Sequence, residues 1–214
     1  MSIEDLRTFL FLRRCWFGPV VVALVSVVTV VVGHHEVANP VPIAEGVATL
    51  PVWRLLSLIV AIMPAVLLHS PLGELESAAV REYWRVQHLY LAGSVVLYLG
   101  SFTVVAWLGL GGDTALIALR AMIAWLGLAL LSGRMFGWSR SWLLPLVSVA
   151  ILLFWGMDTG STYVWWEFSA RPHDDWKSAV VAGGLALLGA AIYWARSWRR
   201  HLLHPLRRAR SLSR

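Results

Sequence analysis

Cysteine occurs once in the 214 residues, at Cys15, so the chain can form no internal disulfide and holds no CxxC redox pair. Lysine also occurs once, Lys177, against seventeen arginines, a skew expected of a GC-rich bacterial genome. Charge of either sign is scarce: 14% of residues are Asp, Glu, Lys or Arg, whereas 58% are hydrophobic, and the mean hydropathy is +0.69. That balance excludes a soluble domain, because a chain of this length cannot hide so much apolar surface in one core. No Walker A loop, dinucleotide fingerprint or HExxH pair is present. Any ATP-driven work must therefore come from another chain. The net charge of +6 needs no nucleic acid as partner, since anionic lipid headgroups supply the counter-charge.

What is present in quantity is apolar sequence. Six runs, at 16–33, 52–69, 88–110, 114–133, 141–157 and 178–196, each approach the ~20 residues that a helix needs to cross a bilayer at 1.5 Å per residue. The expected fold class is an all-α integral membrane protein of one six-span domain over 1–214, with a basic tail at 197–214. Only Gly111 to Asp113 separate the third and fourth runs, which predicts a tight turn. The first run is too long for the core of a cleaved signal peptide, and 34–39 lack a small-x-small cleavage pattern.

Arginine placement gives the orientation. Arg7, Arg13 and Arg14 precede the first run, Arg81 and Arg85 follow the second, Arg134 and Arg140 follow the fourth, and Arg196 at the end of the sixth run joins six arginines in the tail. By the positive-inside rule these fourteen positions face the cytoplasm, which gives an even number of spans and both termini inside a bacterial cytoplasmic membrane. Arg171 and Lys177 fall on the other side, and Arg54 and Arg120 fall within runs. Tryptophans near run ends, including Trp16, Trp53, Trp107, Trp138, Trp142, Trp176 and Trp194, read as an interfacial belt.

Two cytoplasmic segments read as amphipathic helices. In SPLGELESAAVREYW, Ser70 suits an N-cap, Pro71 the first helical position, and Glu74 and Glu76 the first turns, where the helix dipole favours negative charge. Leu72, Leu75, Ala79, Tyr83, Val86 and Tyr90 form an apolar stripe opposite Glu74, Ser77, Arg81, Arg85 and His88. The stripe lies on headgroups or presents a surface to a cytosolic partner. At the N-terminus, Ser2 and Asp5 have capping-box spacing, and Ile3, Leu6, Phe9 and Leu10 form an apolar face ahead of Arg13 and Arg14, as in an interfacial helix. On the outer side, 158–177 interleave Tyr163, Trp165, Trp166 and Phe168 with Glu167, Asp174 and Asp175. This segment reads as short helices in the outer interface or as an ordered lid.

Catalytic patterns are thin. VWRLLS at 52–57 is similar to a rhomboid-protease segment, but Ser94 and Ser161 lack the nucleophile context that such an enzyme needs, and Asp113 and Asp158 lie at span ends, where they do not form an intramembrane aspartyl pair. A b-type haem needs two histidines on facing helices at similar depth. His34, His35, His69 and His88 all lie at span ends, where solvated interfacial histidines are the simpler reading; outer-face metal binding by His35 with Glu36 or His173 with Asp174 has no ligand spacing behind it. Arg120 stands out, about two turns or roughly 10 Å into the fourth run. A charge at that depth is expensive and marks a pathway unless it snorkels outward or pairs with Asp113. Pro64 and Pro145 are candidate kinks. Ala179, Gly183, Gly184, Ala186, Gly189 and Ala190 favour close helix packing in the sixth run.

Together, the N-terminal SIEDLRTFLFLRR, the six runs, the SPLGELESAAVREYW loop and the STYVWWEFSARPHDDW segment resemble the membrane subunit of an ABC-2-type transporter, as found in small actinobacterial permeases. The resemblance is architectural and covers nearly the whole chain. It implies that Leu72, Glu74, Leu75, Glu76, Arg81 and Arg85 form a coupling helix against a cytosolic ATPase, which alone would carry ATP and Mg. It implies that Tyr163, Trp165, Trp166 and Phe168 line the exit of an export pathway for a hydrophobic or amphipathic cargo such as a lipid, peptide or antibiotic, and Arg120, read from its depth, is placed on that pathway with them. A second permease copy or paralogue would complete the exporter. Two other readings are a non-transporting scaffold subunit and a haem-bearing redox protein.

Overall fold

The computed structural model describes residues 16–39, 48–69, 81–157 and 162–195, with the side chains of 38, 39, 48, 49 and 81–85 outside the description. Six apolar helices follow the six runs: α1 (Phe17–Val32), α2 (Val52–Val66), α3 (Arg81–Leu110), α4 (Gly112–Phe136), α5 (Leu143–Trp155) and α6 (Trp176–Trp194). Among the described residues, four stretches are long and apolar enough to cross a membrane: Val86–Leu110, Gly112–Phe136, Trp138–Trp155 and Trp176–Trp194. The helices α1 and α2 are equally apolar but shorter, at 16 and 15 residues. By length and composition these are the helices of a membrane protein.

One departure from an all-helical fold lies between α1 and α2. Glu36–Asn39 (β1) and Ala48–Pro51 (β2) pair antiparallel, with Val37 opposite Leu50. The Val52 N–H then donates to the His35 carbonyl at 3.0 Å, joining the ribbon to the first residue of α2. The strands are short, and apolar periodicity over four residues does not distinguish such a ribbon from a loop.

The helix breaks have local causes. Gly111 (φ 94°) ends α3 and Gly137 (φ 98°) ends α4, both in a backbone region where a Cβ would be strained. Past Gly137, Trp138–Arg140 form one 3₁₀ turn. Buried Ser132 ties that turn down, donating to the Arg140 carbonyl at 2.8 Å. Pro64 sits inside α2, as expected of a kink site. Pro145 instead occupies the first turn of α5, where a missing N–H interrupts no helical bond.

The hub of the fold is α4. It packs against α2, α3, α5 and α6, and 56% of its span is buried, against 22–33% for the other three spanning stretches. Small residues make this central position available: Ala115, Ala118, Ala121 and Ala124 are fully covered. Gly127 meets α6 backbone to backbone, since a Cβ there would lie 2.3 Å from the Leu185 carbonyl oxygen, and one on Gly189 would lie 2.2 Å from the Gly127 oxygen. Of the small residues in α6, Gly189 thus makes a close crossing, whereas Gly183 and Gly184 face open space. Trp16, Trp107, Trp142, Trp176 and Trp194 are exposed at helix ends, as an aromatic belt requires. Trp53 is not part of that belt: it is buried in the core.

The contacts define two ends. At one end lie the ribbon, the Gly111 turn, Gly156 and the segment 162–175, with His34 Nε2 within 3.2 Å of the Gly109 carbonyl oxygen. At the other, His88 stacks on Trp194 (centroids 4.9 Å apart, 5° between planes) and its Nδ1 lies 3.0 Å from the Tyr193 hydroxyl, while Arg134 donates to the Ala195 carbonyl. Along the side, an apolar groove of about 590 Å³ runs between α1 and α3, past Val22, Ser26, Val30, Leu97 and Ser101.

Candidate functional site

The segment 162–175 between α5 and α6 folds back over the ribbon end of the bundle. Its first half hangs from the end of α5: the Val164 N–H donates to the Gly156 carbonyl at 3.0 Å, the Glu167 N–H to the Val164 carbonyl at 3.0 Å, and Met157 bridges Tyr163. Its second half runs into α6, where Asp175 accepts from the Ser178 N–H at 3.0 Å as the N-cap. The Arg171 guanidinium links the halves, donating to the Tyr163 carbonyl at 2.8 Å and pairing with Asp175 at 2.7 Å. Burial pushes the Asp175 carboxyl upward, but bonds from the Ser178 N–H and hydroxyl, together with Arg171, outweigh it and hold the group below its ordinary value.

Two buried arginines from different helices pin this segment. Arg54, in the first turn of α2 and 8% exposed, pairs with Glu167, which is 1% exposed; Nη2 lies 3.1 Å from Oε1 and also donates to the Ser169 hydroxyl. The same Oε1 accepts the Ser169 N–H at 2.8 Å and the Ser169 hydroxyl at 2.6 Å, so three donors converge on one oxygen. Ser57 accompanies them one turn on, donating to the Arg54 carbonyl at 2.8 Å. Arg120, on α4 and 8% exposed, gives all three guanidinium nitrogens to main-chain carbonyls of the segment: Nε to Phe168 at 2.9 Å, Nη1 to Pro172 at 2.8 Å and Nη2 to Arg171. Between the two arginines, the Phe168 ring seats edge-on against Trp125, with centroids 5.9 Å apart.

The structure therefore brings Arg120 and Phe168 together and sets Tyr163, Trp165 and Trp166 on the same segment, with Trp165 largely exposed. Arg120 neither snorkels nor pairs with Asp113. It organises a loop, and Asp113 instead lies 3.5 Å from His173. Arg54 and Glu167 stood in the sequence only as a charge within the second run and a carboxylate of the outer segment, with no role given, and Ser169 was not singled out. The available signal was a second arginine inside an apolar run and a carboxylate set among aromatics, with nothing in the spacing to join positions 54 and 167. Leu72, Glu74, Leu75 and Glu76, expected from the resemblance to form a coupling helix, lie outside the described residues, as do 1–15 and 196–214; Arg81 and Arg85 open α3, without described side chains. Among the described residues, no group of three or more His, Cys, Asp or Glu could hold a metal ion.

Fold and site thus define a helical protein of membrane-spanning character, with a segment locked over one end by two buried arginines. Compared with known proteins, the chain matches no protein-family model, no curated protein and no solved structure.

Proposed function

We propose that the chain is the membrane subunit of an ATP-driven exporter of ABC-2 type, with all six helices crossing the bilayer, both termini cytoplasmic, and the 162–175 segment closing the outer end. The observation that carries this reading is the segment itself: a folded closure held by Arg54 and Arg120 rather than by an apolar core of its own. In this reading the bonds from Arg54 and Arg120 hold the closed position, and their release opens the segment, as alternating access requires. The apolar groove between α1 and α3 supports a hydrophobic or amphipathic cargo. The arginine asymmetry of the sequence supports the orientation, and anionic lipids of the inner leaflet are the fitting neighbours of its basic tail. ATP and Mg belong to a partner ATPase docked at 70–85, and a second permease chain completes the pathway.

Purification of the tagged chain in mild detergent from its native membrane, followed by mass spectrometry, tests this. A stoichiometric nucleotide-binding subunit that is lost on joint charge reversal of Glu74 and Glu76 is the expected result. Recovery with other membrane proteins and no ATPase transfers the reading to a scaffold subunit. A Soret band in the purified chain transfers it to a haem protein.

A further inference from the structure

The Arg54 site is only half used. Among the described residues its contacts run through Nη2 alone, and no partner is found for Nε or Nη1. Beside it lies a void of about 10 Å³, the size of one water, bounded by Arg54, Ser169 and Trp125 and otherwise by Leu50, Leu55, Val149, Leu152 and Leu153. Trp125 is 1% exposed, and among the described residues its indole N–H has no partner. An electron-poor corner with apolar walls thus lies beside the Arg54–Glu167 pair. Glu167 meets Arg54 through one oxygen, whereas a guanidinium binds a carboxylate best through two parallel bonds.

We propose that Glu167 is an internal ligand of an anion-recognition site formed by Arg54 and Trp125, and that a carboxylate-bearing amphiphile displaces it as the 162–175 segment opens. The incoming head group takes the Nε–Nη edge of Arg54 and the Trp125 N–H, and its alkyl chain takes the leucine and valine wall. Displacement, rather than addition, follows from the size of the void. Arg120 keeps the segment attached meanwhile, because its bonds go to main-chain carbonyls that no incoming anion replaces. A buried arginine uncovered with no anion would be strongly unfavourable, so opening and anion binding are one event. The proposal deepens the exporter reading by naming the chemical class at the outer gate.

The test is hydrogen–deuterium exchange of the 162–175 peptide in the full chain, held in neutral-lipid nanodiscs, with laurate or dodecanol at equal mole fraction. Laurate is expected to speed exchange roughly tenfold and dodecanol to leave it near its starting rate. Glu167→Gln lowers the laurate needed for half the effect, Arg54→Lys weakens the response, and Arg54→Gln removes it. Because Arg54→Gln also loosens the segment, a diazirine-tagged laurate supplies a second readout: it crosslinks to Leu152 or Leu153 in the wild type, more in Glu167→Gln, and not in Arg54→Gln. Equal effects of laurate and dodecanol, or crosslinking that survives Arg54→Gln, overturn the proposal and leave a water-sized void only. No ATPase enters these measurements, so their failure and the absence of a co-purifying ATPase are separate results.

Discussion

Replacing Arg54 and Glu167 by methionine, singly and together, probes the clamp through a thermodynamic cycle. Each single change strands one charge in a nearly dry site, Arg54 at 8% exposure or Glu167 at 1%. Removing one partner of such a pair costs about 3–5 kcal/mol, whereas replacing both with apolar groups of similar volume is often close to neutral. The double variant keeps one defect, because Ser169 loses the oxygen that accepts both its N–H and its hydroxyl. Orphaning those donors costs about 1–3 kcal/mol. The double variant is therefore expected to be no worse than either single, with a coupling energy of roughly 3 kcal/mol or more. The Val164 amide is the reporter, since its bond to the Gly156 carbonyl survives all three variants. Its hydrogen exchange should accelerate about a hundredfold or more in each single variant, and by no greater factor in the double variant. Additive effects, with each single below about 1 kcal/mol, would mean that water screens the pair and would refute the reasoning.

Other outcomes follow from the same contacts. Gly127→Val places side-chain atoms where the α6 backbone now lies, 2.3 Å from the Leu185 oxygen, so it should separate α4 from α6 and cost several kcal/mol in detergent unfolding, on the order of the overpacking penalty of ~1–3 kcal/mol or more; Gly183→Val, facing open space, should be nearly silent. The Asp175 carboxyl is held below its ordinary value in the folded chain, so its stabilisation is complete at neutral pH and is lost as pH falls below the usual carboxylate range. Asp175→Asn should flatten that acid limb when the start of α6 is followed by exchange. Tyr193→Phe removes the hydroxyl that meets His88 at 3.0 Å and should loosen the α3–α6 contact by about 1 kcal/mol, leaving exchange at 162–175 unchanged.

How much of this was legible in the sequence depends on the range of each interaction. Helices α1 to α6 follow from the apolar runs, and Gly111 and Gly137 mark breaks that only a positive φ explains. The helices overshoot or undershoot the runs by a few residues, because hydropathy reports membrane length while caps and turns set the ends. The third run begins seven residues into α3, since the polar turn at 81–87 is helical without being apolar. Arg120 was singled out for its cost in an apolar span, which is sound physics, but the partners that meet that cost are main-chain carbonyls some 50 residues away and carry no side-chain signature. Arg54 and Glu167 are 113 residues apart in sequence, and only the tertiary fold makes them a pair. The ribbon of 36–39 and 48–51 was missed because four-residue strands leave no period to read.

The central claim is that a membrane-spanning chain carries this clamped segment on its outer face. Single cysteines at Thr162 and Ser139, both exposed and at opposite ends of the bundle, test it most directly in a Cys15→Ser background, with a membrane-impermeant maleimide on intact cells. The account predicts that the cysteine of Thr162→Cys reacts in intact cells and that of Ser139→Cys only after permeabilisation. The reverse pattern, or equal reaction of both in intact cells, would contradict it.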